Sequence, residues 1–202
     1  MLLYDLKAGM NPRRVRIFLA EKGVTVPKVE VDMLKGENKT PGYLAKNPLG
    51  RMPVLELDDG TLIAESVAIC RYFESLYPEP PLFGSGAVEI AKVEMWNRRM
   101  ELEIMRPIGE AFEHLSPFWV GRGPQVAEYG NLAREVAMDR MAWLDRELAE
   151  KPFIAGENYS IADITAQAAF VLGKNTGTPI PGELSHVLRW FAQVSSRPSA
   201  RA

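Results

Sequence analysis

Val54-Leu55-Glu56-Leu57-Asp58-Asp59-Gly60-Thr61-Leu62-Ile63 reads as two short strands around a tight turn. Asp-Gly accepts the positive φ that such turns need, so the stretch predicts a β-hairpin. Just beyond it, Ile69, Tyr72, Phe73 and Leu76 fall at i, i+3, i+4 and i+7. That spacing predicts a helix with one buried face. Upstream, Met1 to Tyr4 is an apolar run closed by Asp5, consistent with a buried parallel strand. Asn11-Pro12 places an N-cap type of residue before a proline suited to a first helical turn. Val15, Phe18 and Leu19 then form an apolar stripe, and Gly23 is a natural stop after Glu21-Lys22. Val29 to Asp32 alternates like a half-buried strand. The order βαβ, connection, ββα predicts a small sheet with helices packed on it, because parallel strands need a crossover helix.

Downstream the pattern changes. Tyr77 to Gly86 holds three prolines and two glycines and reads as a linker. Past it, one helical stripe runs through Ala133, Ala137, Met141, Leu144 and Leu148. A second takes Ile161, Ile164, Ala168 and Val171, and a third Leu184, Val187, Leu188, Phe191 and Val194. Ser160-Ile161-Ala162-Asp163 resembles a capping box, with Tyr159 and Ile164 placed for a hydrophobic staple. The expected division is an α/β domain over 1–77 and an all-α domain over 87–202.

The totals bound the function. With 202 residues, 47% apolar and 25% charged, the chain is an ordinary globular one. A net charge of −2 gives no general electrostatic attraction for nucleic acid or an anionic membrane. An anionic ligand must therefore meet a local group of donors. The single cysteine, Cys70, makes no intramolecular disulfide. Two histidines and one cysteine, far apart in sequence, make no zinc cage. No run approaches 18 apolar residues, and a soluble cytoplasmic protein is expected.

Three further stretches carry a family resemblance: Arg14 to Gly23, Asn47 to Leu55, and Leu62-Ile63-Ala64-Glu65-Ser66. With Gly156 to Asp163 and the element order, they resemble the cytosolic glutathione transferases over most of the chain. Tyr4-Asp5, Ala8-Gly9, Pro12 and His114 look closest to an atypical fungal and bacterial subfamily. The resemblance implies a thioredoxin-like N-terminal domain, glutathione as co-substrate, a small hydrophobic electrophile as second substrate and a homodimer. It also implies that Pro53 follows a cis bond and that the Met52 main chain grips the cysteinyl peptide of glutathione like an added strand. Glu65 would pair with the glutamyl ammonium, and Ser66 with free helix N–H groups would take the glutamyl carboxylate. Lys39 and Arg51 are the cations for the glycyl carboxylate, with Lys35 competing for the place of Lys39.

The group that activates the thiol is harder to place. A glutathione thiol with a pKa of about 8.5 is mostly protonated at neutral pH. The family's usual Ser or Cys before the first helix corresponds to a position between Gly9 and Asn11, where this chain reads Gly9-Met10-Asn11. Two substitutes are open. Asn11 or nearby backbone N–H groups could donate to the sulfur, or His114 with Ser116 could hold an activating water, as the resembling subfamily is thought to do. His114 ranks ahead of Asn11, while His186 reads as a surface residue and Cys70 as structural. Met10, Met100, Met105, Phe112, Phe118 and Trp119 are apolar candidates for an electrophile pocket expected between the domains. Two other readings share this site: a non-catalytic binding module, kept open by the missing Ser or Cys, and a glutathione-dependent isomerase or dehalogenase. Glutaredoxin-type exchange is disfavoured because no cysteine opens the first helix.

Overall fold

The computed structural model describes residues 1–202 and divides into two compact units, Met1–Pro81 with Arg201–Ala202, and Leu82–Ala200. The first holds four strands: β1 (Leu2–Asp5), β2 (Lys28–Glu30), β3 (Val54–Glu56) and β4 (Leu62–Ala64). Their order is β2-β1-β3-β4, with β1 parallel to β2 and antiparallel to β3, and β3 antiparallel to β4. The register sets Leu3 opposite Leu55 and Leu55 opposite Ile63. The predicted hairpin turn is present, with Gly60 at φ +84° and Asp59 Oδ1 accepting the Thr61 N–H at 2.9 Å.

Helix α1 (Met10–Glu21) is the crossover between the parallel strands and buries Val15, Ile17, Phe18 and Leu19. Its start differs from the expectation. Gly9 is the N-cap and supplies no side-chain bond, so Asn11 lies inside the first turn. A Cβ at position 9 would come within 2.9 Å of the Pro12 ring, so the proline in that turn requires a glycine before it. The sequence pattern put Asn11 on the cap because Asn before Pro usually sits there. The actual arrangement leaves the Asn11 side chain available for other partners. Arg16, also on α1, forms a buried ion pair with Asp5 at 2.7 Å and donates to the carbonyls of Leu6 and Lys7 at 3.3 and 2.8 Å. A short helix α2 (Pro41–Leu44) precedes β3, and α3 (Ser66–Leu76) follows β4.

The second unit is helical, with a lone two-residue bridge between Phe153 and Gly156. Helix α4 (Gly86–Arg99) runs through a π-helical stretch, Met100–Met105, into α5 (Arg106–Leu115). Then come α6 (Ala127–Glu147), α7 (Ile161–Thr176) and α8 (Ser185–Ser195). Helix α7 is the centre, buried at every residue from Ile161 to Phe170. The capping box at its start is present: Ser160 Oγ accepts the Ala162 N–H at 3.3 Å and Asp163 Oδ2 accepts the Ser160 N–H at 3.0 Å. The third stripe needs correcting. Helix α8 buries Val187, Trp190 and Val194, while Leu188 is exposed. The indole of Trp190 makes the difference, because its Nε1–H reaches the buried Asp163 at 2.8 Å and draws that face inward. No helix is long and apolar enough to cross a membrane.

Candidate functional site

In the first unit, the residues expected to hold the ligand come from the starts of α1, β3 and α3 and from the segment before β3. The Met52–Pro53 bond is cis, and the strand ladder begins only at Val54. The main-chain N–H and C=O of Met52 therefore stand outside the sheet's own pairing, while its side chain packs with Val31, Tyr43 and Val54. Two side chains fix the carbonyl immediately before it. Tyr43 Oη and Asn47 Nδ2 donate to the Arg51 carbonyl at 2.9 and 2.8 Å. Asn38 Nδ2 donates to the Gly50 carbonyl at 2.9 Å, and a Cβ on Gly50 would collide with the Asn38 carbonyl at 2.8 Å. These contacts lay the turn Glu37–Lys39 against residues 50–51 and bring Lys39 and Arg51 onto adjacent segments. Lys46 anchors the same stretch through an ion pair with Glu56 at 2.7 Å, and Tyr4 Oη donates to that carboxylate at 2.7 Å.

Lys39 and Arg51 are exposed and neither enters an ion pair, so both charges are available to an anion. Lys35 is engaged with Asp32 at 3.1 Å. The hydrogen bond from Lys35 pulls the Asp32 carboxyl below its usual range, and Asp32 raises the lysine in return. That pairing favours Lys39 over Lys35 as the ligand's cation.

At the start of α3, Glu65 is exposed and Ser66 is buried. Asn11 and Ser66 are brought together, with Ser66 Oγ 3.4 Å from Asn11 Oδ1. Between them lies a residue the sequence reading did not single out. Arg14, only 1% exposed, donates from Nη1 to Ser66 Oγ at 2.7 Å and to Asn11 Oδ1 at 3.3 Å. The available signal was the three-residue spacing of Asn11 and Arg14, which puts both on one helix face. Cys70, one turn into α3, is fully buried and its thiol is pushed up to about 12 by that burial. Such a thiol is inert as a nucleophile.

His114 and Ser116 belong to the helical unit, at the end of α5. His114 Nδ1 accepts the Val126 N–H at 3.1 Å, and its ring stands edge-on to Tyr129. Its Cβ lies 2.9 Å from where a Cβ on Gly130 would be, so α6 approaches α5 closely at this glycine. With Nδ1 accepting, the neutral ring carries its proton on Nε2. Ser116 Oγ caps the next turn, accepting the Phe118 N–H at 3.2 Å. Each has a local structural task. His186 is half-buried on α8, where its backbone N–H donates to Asp145. Among the apolar pocket candidates, Met100 and Met105 are core residues, whereas Phe112, Phe118 and Trp119 cluster at mutual ring distances of 5.3–6.0 Å.

Comparison with known proteins gives this arrangement a family. Residues 10–76 match the N-terminal domain of glutathione S-transferases and residues 125–198 match the C-terminal domain. The chain is 40% identical to glutathione S-transferase 2 of Saccharomyces cerevisiae, over all of this chain and 88% of that one. A crystal structure of Gtt2 from the same yeast superposes with a TM-score of 0.93 at 40% identity, covering 100% of this chain and 99% of the other. A glutathione S-transferase domain-containing protein of Marinobacter aquaeolei superposes at 0.92 with 43% identity, covering 98% and 99%. The chain belongs to the glutathione S-transferase family.

Proposed function

We propose that this transferase binds glutathione along the edge before β3 and joins its thiolate to small hydrophobic electrophiles. The observation that carries the reading is the set of unspent donors and acceptors at the right chemical types. The Met52 main chain faces no strand, Ser66 and Glu65 stand at the start of α3, and Lys39 and Arg51 are unpaired cations on adjoining segments. Glutathione needs a peptide partner, a carboxylate and ammonium site at one end, and a cation at the other. In the transfer, the thiolate sulfur forms a bond to an electrophilic carbon. The displaced group leaves with its electron pair, or an added double bond takes up a proton.

For the thiol, Asn11 is favoured over His114 and Ser116. Its side chain touches Ser66, whereas the Nδ1 of His114 and the hydroxyl of Ser116 are already committed to backbone N–H groups. A homodimer is part of the same proposal. The test combines retention on immobilised glutathione with conjugation to an activated aryl halide. Retention with turnover is the expected result. Retention without turnover would point instead to a binding module, and no retention would remove the site.

A further inference from the structure

Arg14 has no place in the ligand scheme above, yet it is only 1% exposed and touches two of the site's residues. Its guanidinium can only donate hydrogen bonds. The Asn11 atom facing it must therefore be the carbonyl oxygen, which turns the Nδ2 amide group the other way. Ser66 Oγ likewise accepts from Arg14 at 2.7 Å, so its one hydrogen is left to donate elsewhere. The neighbouring Asn11 Oδ1, at 3.4 Å, is a weak alternative for that hydrogen. A carboxylate at ordinary charge-assisted distance displaces it.

We infer that Arg14 is a positioning residue that sets the hydrogen-bond polarity of the site. By occupying both acceptors, it turns Ser66 Oγ–H and Asn11 Nδ2–H into two donors directed at glutathione. Ser66 addresses the glutamyl carboxylate, and Asn11 donates to the thiolate once the thiol proton has left to solvent. The inference rests on the glutathione reading above and names what replaces the missing Ser, Cys or Tyr. Burial matters to the argument, because a side-chain amide in water would rotate freely between its two faces. Here a fixed guanidinium selects one face. The device also needs the start of α1 as observed. An Asn11 at the N-cap would have spent its oxygen on a backbone N–H.

The experiment follows the ultraviolet absorbance of enzyme-bound thiolate against pH, with glutathione affinity measured by calorimetry on the same preparations. Asn11→Asp keeps an oxygen toward Arg14 but replaces the outward donor with an acceptor. It is expected to raise the bound thiol's titration by about one pH unit or more, with affinity changed less than about threefold. Arg14→Met removes the selection and is expected to raise the titration and weaken glutathione about tenfold. Arg14→Lys, which retains a buried cation if the apolar variant does not fold, is expected to recover part of both. An unshifted titration in Asn11→Asp and in whichever Arg14 variant folds overturns the inference. So does a loss of affinity in Asn11→Asp without a shift, because Asn11 would then serve the carboxylate. Failure of the unsubstituted protein to bind glutathione is a separate outcome that removes the parent reading and this one with it.

Discussion

Glu65 is the single non-glycine residue with a left-handed φ, +68° with ψ +117°. A non-glycine residue held there costs on the order of 1–3 kcal/mol, and such residues collect at functional sites. Glu65 is the N-cap of α3, directly before the buried Ser66. Glu65→Gly is therefore expected to raise stability by about 1 kcal/mol while weakening glutathione binding, as thermal melts and calorimetry would reveal. A variant that gained stability and kept its affinity would show that Glu65 does not touch the ligand. Ser66→Ala should weaken glutathione by about 1–3 kcal/mol, the cost of leaving a charged partner without its donor. Unchanged affinity in a folded protein would sink that assignment. Arg51, Met52, Pro53, Glu65 and Ser66 could be named as candidates from the sequence because they lie in contiguous family motifs, and Lys39 because it is a cation in a polar stretch. The role of Arg14 could not, although it opens another such motif. An arginine beside an apolar stripe reads as solvated, and only the three-dimensional meeting of α1 with α3 shows it sealed beneath Ser66.

At the start of α7, Asp163 does more than a capping box requires. Its Oδ1 accepts the Ile154 N–H at 2.9 Å and Trp190 Nε1–H at 2.8 Å, and Oδ2 accepts from Ser160. One carboxylate thus ties the loop before α7, the helix itself and α8. It is completely buried, and burial raises its pKa from 3.8 to about 6, outweighing the hydrogen bonds that lower it. The folded state therefore holds this proton more tightly than the unfolded one. Stability falls as pH rises from about 4 to about 6 and levels off above, an effect of about 3 kcal/mol. Asp163→Asn should flatten that slope in melting temperatures recorded across the window; an unaltered slope would assign it to other groups. Asp163→Ala strands several buried N–H donors and should cost about 3 kcal/mol or more. The box and the α6 stripe were legible because local chemistry specifies them. The continuous run from Gly86 to Leu115 was not, because its π-helical stretch at Met100–Met105 breaks the 3.6-residue period that a pattern search relies on. Helix α8 was misphased for a related reason: the partner of Trp190 is distant in sequence.

Val88, Ala91, Met95 and Leu102 leave an apolar strip on the outside of the helical unit, with Val88 70% and Met95 41% exposed. On the same helix Trp96 faces inward, stacked on Trp143 at 5.7 Å. On α6, Leu132 and Val136 add to the exposed apolar surface, at 55% and 37%. Single exposed apolar residues need no explanation, whereas aligned ones usually mark contact with another molecule. A two-fold dimer doubles the effect of any change, because each copy contributes the same patch. In a two-fold dimer formed through this strip, a charge introduced on it would be buried in both copies. Met95→Glu and Val88→Glu should therefore weaken self-association by about tenfold or more, read as a shift from dimer to monomer in sedimentation velocity. Leu34→Glu, at a residue 65% exposed in the first unit, serves as the control for added charge alone. If the unsubstituted protein sediments as a monomer, or if Leu34→Glu dissociates it as readily as Met95→Glu, the strip is not the dimer contact.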